Sequence, residues 1–220
     1  MGLTVTMAFN GMADFEDNGV LKVAGAAWEV RRAGLSDVAA ILSVERHSGR
    51  RPVDLPVMEA AVVDPARHVV VASLDGSVIG WAKTHHWEYP DGPAPSGHYL
   101  GGISVLPAWR RLGVGTVLTE ARMRWIWARA ADAWYVVNTG NVPSINLHRR
   151  WNFTEVARSP TFHTTTFPGG PGILLRAQRP EAQRHVGGAP TVGDGTVGDG
   201  TGGAPTVGDG TVGGGRVRAG

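Results

Sequence analysis

The sequence predicts an α/β fold built on one domain. Three observations carry the prediction. Strand-like and helix-like periods alternate from Trp28 to Gln178. Asp75-Gly76 sits between two β-rich runs, which is a strong signal for a tight hairpin. The stretch LPAWRRLGVGT, Leu106 to Thr116, packs two arginines and two glycines between the end of a strand and the start of a helix.

The elements follow in order. AWEVRRAG (27–34) is the first strand, and LSDVAAILSVERH (35–47) a helix opened by Ser36 or Asp37 as N-cap. LPVMEAAVV (55–63) is a second, shorter helix after Arg50 and Arg51. HVVVASLDGSVIGWAKTHHWE (68–88) is the hairpin, EYPDGPAPSG (88–97) a loop, and HYLGGISVL (98–106) the fourth strand. From Gly113 the residues Val114, Val117, Leu118, Ala121 and Trp125 recur at helical spacing. AWYVVN (133–138) is the fifth strand and VPSINLHRRW (142–151) a helix with Pro143 near its start. FTEVARS (153–159) and GILLRAQ (172–178) close the sheet.

The two ends read differently. Residues 1–27 show no sustained period and are expected to form a loose arm. Residues 179–220 contain GGAPTVGDGTV twice, at 187–197 and 202–212. Gly, Thr, Asp and isolated Val cannot offset the entropy of ordering such a segment, so a disordered tail is expected. Residues 28–178 are left as the working domain.

Composition narrows the chemistry. The chain has 220 residues, no cysteine and a formal charge of +2, which excludes disulfides, thiolate metal sites and a cysteine nucleophile. Between Trp28 and Gln178 there are 16 Arg and Lys against 12 Asp and Glu, scattered rather than striped, so nucleic acid is not an expected partner and no metal is called for. No apolar run reaches the ~18 residues of a membrane span, and the N-terminus lacks a basic flank followed by an apolar segment. A cytoplasmic protein without a membrane partner is the expectation.

The glycine turn can bind an anion, and two familiar phosphate loops do not fit it. A Walker A loop needs a Lys after its last Gly, and a dinucleotide fingerprint needs a third Gly where Leu118 stands. What remains is Arg110-x-x-Gly113-x-Gly115 after a strand ending in Val105-x-Pro107. There the backbone can curl around a phosphate and the helix dipole adds about half a positive charge.

A second motif lies about thirty residues on: VNTGNVPSINLHRRWNF places Asn141, Ser144, Leu147, His148 and Phe153 along a helix followed at once by a strand. The two motifs together resemble the GNAT superfamily of N-acetyltransferases, whose pattern is Arg/Gln-x-x-Gly-x-Gly/Ala and later Asn-x-x-Ala/Ser-x-x-Leu-Tyr before Gly-Phe. The resemblance spans roughly residues 28–178. It implies a mixed, mostly antiparallel central sheet splayed between strands four and five and flanked by helices, with acetyl-CoA as cofactor and coenzyme A as product. The amides of Arg111, Leu112, Gly113, Val114, Gly115 and Thr116, introduced by Arg110, would cradle the pyrophosphate. The edge of Ile103, Ser104 and Val105 would pair with the pantetheine, and Asn141, with Ser144 on the same helix, would hold the cofactor from the other side.

Two departures stand out. The family's tyrosine, which protonates the leaving thiolate, is His148 here; it either donates to the sulfur or merely packs and caps within its helix. Asn152 replaces the family's Gly, and Asn tolerates the left-handed conformation better than most residues. The family's strand glutamate is absent too, since its position reads Gly101-Gly102. Glu88, His86, His85 and His98 are the alternatives for the base, and Glu88 and His98 join His148 as the catalytic candidates.

A looser likeness to aminoglycoside-type antibiotic acetyltransferases suggests a small polar amine as acceptor and a role in antibiotic resistance. Glu45, Asp54, Glu59, Glu88 and Asp91 could attract a polycation, or simply face solvent. A protein or peptide N-acetyltransferase and a catalytically idle module that binds coenzyme A are the alternatives, and a homodimer is left open.

Overall fold

A computed structural model of the chain describes residues 21–22 and 28–181. Ten strands and four helices follow one another as β1 (Leu21–Lys22), β2 (Glu29–Arg32), α1 (Val38–His47), α2 (Leu55–Val63), β3 (Val69–Leu74), β4 (Ser77–Trp87), β5 (Gly97–Val105), α3 (Val114–Trp127), β6 (Asp132–Asn138), α4 (Val142–His148), β7 (Thr154–Ser159), β8 (Thr161–Phe162), β9 (Thr165–Thr166) and β10 (Gly172–Gln178). Eight of the strands form one sheet in the order β1-β2-β3-β4-β5-β6-β10-β7. Every neighbouring pair is antiparallel except β5 and β6.

The expected hairpin forms where Asp75-Gly76 requires it. Both residues have positive φ, 48° and 78°, the backbone of a type I′ turn, and Leu74 and Ser77 pair across it. Neither Ser36 nor Asp37 caps the first helix with its side chain: Gly34 is the N-cap of the opening turn, and Asp37, at its third position, accepts the Gly34 amide at 2.8 Å and both guanidinium nitrogens of Arg31 at 2.7 and 2.8 Å. Within the expected N-terminal arm, Leu21 and Lys22 pair with Val30 and Glu29 as a short edge strand. The remaining expectations for the arm, and those for the tail from 182 to 220, fall outside the described residues.

Helices cover both faces of the sheet. Val114, Val117, Leu118 and Ala121 of α3 pack on Val30, Val70, Ala72 and Ala82 from one side. Ile41 and Leu42 of α1, with Met58 and Ala61 of α2, pack on Val69, Val71 and Trp81 from the other. Strand alternation makes this possible: β3 is buried along nearly its whole length because its odd residues meet one helical layer and its even residues the other.

Two irregularities shape the centre of the sheet. Between the pairs Ala82↔Ile103 and Thr84↔Leu100, β5 sets two residues, Gly101 and Gly102, against Lys83 alone, a β-bulge. β5 and β6 pair only at Tyr99↔Trp134 and Leu100↔Tyr135. Beyond those residues the strands separate, so the sheet is splayed between the fourth and fifth strands of the sequence reading. Between the two closing strands, where the sequence predicts no element, lies the small hairpin β8–β9; runs of two residues with His163 at a positive φ of 48° leave too little periodicity to show in sequence.

Candidate active site

The gap between β5 and β6 opens a cleft of about 1090 Å³. Its walls come from Gly101 to Val105 on β5, Tyr135 to Asn138 on β6, the turn before α3, the start of α4, and the β8–β9 hairpin.

The glycine turn lies at one end. Gly113 is the N-cap of α3 at φ 87°, and Arg111 before it also has a positive φ, 65°. No side chain caps the helix, and after the Arg110 amide the next to donate to a backbone carbonyl outside a helix or strand ladder is that of Thr116, to Gly113 at 2.9 Å. The amides of Gly113, Val114 and Gly115 form the positive end of a fourteen-residue helix, and those of Arg111 and Leu112 precede them in the same turn. Arg110, Arg111 and Gly115 line the cleft. Val114 is buried in the core and Leu112 is exposed, so these two offer their backbone alone.

The β5 edge supplies the next contacts. Ser104 pairs toward β4, which leaves the carbonyls of Ile103 and Val105 facing the gap. In the structure Arg50 Nη1 donates to Ile103 O at 2.9 Å, while Arg110 Nε and Ser48 Oγ donate to Val105 O at 3.1 and 3.2 Å. Ile103 O keeps one lone pair for a further donor, whereas Arg110 and Ser48 occupy both of those on Val105 O. Across the gap, Asn141 Oδ1 accepts the Ser144 amide at 3.3 Å as the N-cap of α4, so its side-chain NH₂ is the part free to meet a ligand. Dipole, open amides, the Ile103 carbonyl on the strand edge and the facing amide together fit a diphosphate joined to an amide-bearing arm, the chemistry of coenzyme A.

The catalytic expectations fare differently. His148 does not line the cleft; it is 2% exposed between Tyr135, Trp151 and Phe153. Its Nδ1 lies 2.8 Å from the carbonyl of Ser144, which can only accept, so Nδ1 carries the proton. Nε2 is bare, buried and without a partner among the described residues. Burial, with Arg122 nearby, pulls the imidazole down to about 3, so at neutral pH the ring is uncharged and its one N–H is already given to Ser144 O. His98 lies on the other face of the sheet against His86 and Trp125, with ring centroids 4.5 and 5.2 Å away. Glu88 is exposed just past the end of β4. Strand parity is the cause: Lys83, His85 and Trp87 of β4 and Tyr99 of β5 turn toward the cleft, while His86 and His98 turn toward α3.

Two other polar groups line the cleft. His85 lines the cleft beside the bulge, its Cδ2 and Nε2 only 2.7 and 3.0 Å from where a Cβ on Gly101 would stand. The imidazole thus fills the space a side chain at 101 would use. Burial, then Lys83 and Arg67, lowers it to about 3, so it is neutral with one unprotonated ring nitrogen. Opposite, the Tyr135 hydroxyl shares a short hydrogen bond with Ser144 Oγ, and both residues line the cleft. Their mutual bond uses one hydroxyl hydrogen and leaves the other free. Burial pushes the Tyr135 phenol up to about 12, so it stays protonated. Sequence reasoning missed Tyr135; the visible signal was a hydroxyl-bearing aromatic on the strand that borders the expected splay.

The five carboxylates expected to draw a polycation do not converge. Glu45 is buried in α1, Asp54, Glu88 and Asp91 are exposed, and Glu59 is half-buried; none lines the cleft.

Residues 35–153 match the acetyltransferase (GNAT) family. Over 141 residues the chain is 28% identical to an N-alpha-acetyltransferase of Sulfurisphaera tokodaii, covering 60% of this chain and 83% of that one. It is 30% identical over 108 residues to an aminoglycoside N(6')-acetyltransferase type 1 of Klebsiella aerogenes, covering 48% and 70%. A Salmonella typhimurium protein solved with its cofactor acetyl-CoA superposes with a TM-score of 0.54 at 24% identity, covering 71% of this chain and 96% of that one. The family match, the splayed sheet and the helix-capped turn agree: the chain belongs to the acetyltransferase (GNAT) family, whose members are N-acetyltransferases, and acetyl-CoA is its acyl donor.

Proposed function

We propose that the protein acetylates the primary amine of a small polar acceptor by direct attack in a ternary complex. The observation that carries this reading is the convergence of His85, the glycine bulge and the Tyr135–Ser144 hydroxyl pair on one cleft.

Bound acetyl-CoA supplies an acyl group activated on sulfur, and the residues of this chain do the rest. The open amides from Arg111 to Gly115 hold the diphosphate, the Thr116 amide being engaged by Gly113 O, and the edge of Ile103 to Val105 and the Asn141 NH₂ hold the arm. A nitrogen–carbon bond forms as the carbon–sulfur bond breaks, and the amine loses one proton. His85 receives that proton on its unprotonated nitrogen and passes it to solvent. The free O–H of the Tyr135–Ser144 pair donates a hydrogen bond to the departing thiolate. With a thiol reference value of about 8.5, that thiolate needs stabilisation more than full protonation.

Presenting a free alkylamine at neutral pH costs about 4.6 kcal/mol from its reference value near 10.4. A peptide α-amine near 7.7–8.0 costs only about 1 kcal/mol. Lys83 and Arg67 beside His85 lower this further, because like charges disfavour an ammonium.

A peptide α-amine is the second reading, favoured by the Sulfurisphaera tokodaii relative. An aminoglycoside-type acceptor has the Klebsiella aerogenes relative in its favour. Incubating the full chain with acetyl-CoA and separate panels of amino acids, aminoglycosides, polyamines and peptides, with products read by mass spectrometry, tests the proposal. One acetyl group added to a small amine is expected; acetyl-CoA binding without any acetylated product would leave an idle coenzyme A-binding module.

A further inference from the structure

The acceptor end of the cleft is cationic. Lys83 and His85 on β4, Arg67 before β3 and Arg50 after α1 line it, and no lining residue is Asp or Glu. Two carboxylates offset this wall only in part: Asp64, outside the lining, pairs with Arg67 at 2.9 Å, and Glu45, buried in α1, attracts Lys83 without an ion pair to it. Lys83 is half-buried and makes no ion pair among the described residues; its nearest recorded partner is the Trp81 ring, 5.9 Å from Nζ.

Such a wall repels an ammonium ion. It favours the free amine needed for attack, but an acceptor with no other charge gains nothing from Lys83 and Arg67, and a polycation is rejected. β4 also presents its cleft-facing groups in the order cation, imidazole, indole: Lys83, His85, Trp87, about 7 Å apart as alternate strand residues are. Trp87 stacks on His163 with ring centroids 4.6 Å apart, and Phe167 lines the same end. An α-amino acid carries a carboxylate, an amine and a side chain on one carbon, so each of the three groups finds one chemical counterpart on this wall.

Building on the acetyl-transfer reading above, we infer that the acceptor is a small α-amino acid with an apolar or aromatic side chain. Its carboxylate pairs with Lys83 and Arg67, its amine faces His85 beside Gly101, and its side chain lies toward Trp87 and Phe167.

The test compares matched acids and amides. N-acetyl-L-phenylalanine and N-acetyl-L-phenylalaninamide are titrated calorimetrically into the coenzyme A-loaded full chain; neither carries an amine, so only the carboxylate differs. The acid is expected to bind at least about tenfold more tightly, the worth of one charge-assisted contact. Lys83→Met and Arg67→Gln are each expected to shrink that preference to about threefold or less. Equal affinity for acid and amide, no binding of either, or a preference that persists in the Lys83→Met/Arg67→Gln double variant overturns the inference. Turnover separates it from the wider reading. Acetylation of spermidine or L-phenylalaninamide in preference to L-phenylalanine overturns the amino-acid acceptor and leaves acetyl transfer standing. A bound acid with no amine acetylated supports the carboxylate subsite and overturns acetyl transfer.

Discussion

Arg122 Nη1 donates to the carbonyl oxygen of Gly101 at 3.3 Å, and the same nitrogen reaches the carbonyl of Lys83 at 3.2 Å. These carbonyls flank the β5 bulge, where the sheet ladder is broken. The guanidinium has no solvent exposure and also bonds Thr119 Oγ1 at 2.9 Å and Leu118 O at 3.3 Å. Burial lowers it to about 9, so it remains charged at neutral pH. A helix residue thereby holds the strand geometry on which Gly101 and His85 depend.

Arg122→Met, similar in reach but without donors, is expected to lower stability by about 2–5 kcal/mol, because each orphaned carbonyl carries its own desolvation penalty. Urea unfolding checks this, and Arg122→Lys is expected to recover part of the loss.

Gly115→Val tests the anion site with little backbone strain. A Cβ at 115 makes ordinary contacts with Leu147 and Ile103 at 3.6 and 3.8 Å, whereas any side chain at Gly113 is strained by its φ of 87°. The valine branch then projects into the cleft. Calorimetry is expected to show the acetyl-CoA dissociation constant raised at least about tenfold, about 1.4 kcal/mol, with a near-native melting temperature.

Tyr135→Phe removes one hydroxyl of the pair and frees Ser144 to turn. A fall in kcat of roughly tenfold is expected, with acetyl-CoA affinity unchanged, at the low end of acid–base effects because the thiolate is already a good leaving group. Unchanged kcat would remove the hydroxyl pair from the mechanism.

His148 gives a pH signature. The imidazoles of His68, His85, His98 and His148 are lowered from 6.5 to about 3–4, each mainly by burial. The unfolded chain takes up protons on them below 6.5 and the folded chain does not, so their stabilisation is complete above 6.5 and is lost as pH falls toward 3–4. His148, almost wholly buried, contributes up to about 1.4 kcal/mol per pH unit in that window. Urea unfolding at pH 7 and pH 5 should show the drop, and His148→Leu should flatten it. Its kcat is expected to stay within a few-fold of the native value.

Much of this was legible in sequence because local rules govern it. Asp75-Gly76 formed its turn, Gly113 took the left-handed N-cap, and Asn152 adopted φ 54° where the family has glycine. The catalytic side chains were not legible in the same way. Choosing among His85, His86 and His98 needs the face of each strand, and the β5 bulge shifts that parity between His98 and Ile103. His148 sat at the motif's tyrosine position, yet the shorter imidazole bonds back to Ser144 inside its own helix and never reaches the cleft. Tyr135, proposed as the donor, lies on a neighbouring strand outside the motif, so the motif's spacing does not point to it.

The account rests on His85 as the group that takes the amine's proton, and His85→Gln tests it most directly, since it keeps a polar side chain over Gly101 without a titrating base. With acetyl-CoA and acceptor both saturating, kcat is expected to fall about a hundredfold, while acetyl-CoA affinity stays within about twofold. A kcat within about twofold of the native value, in a folded variant that binds acetyl-CoA normally, would contradict it.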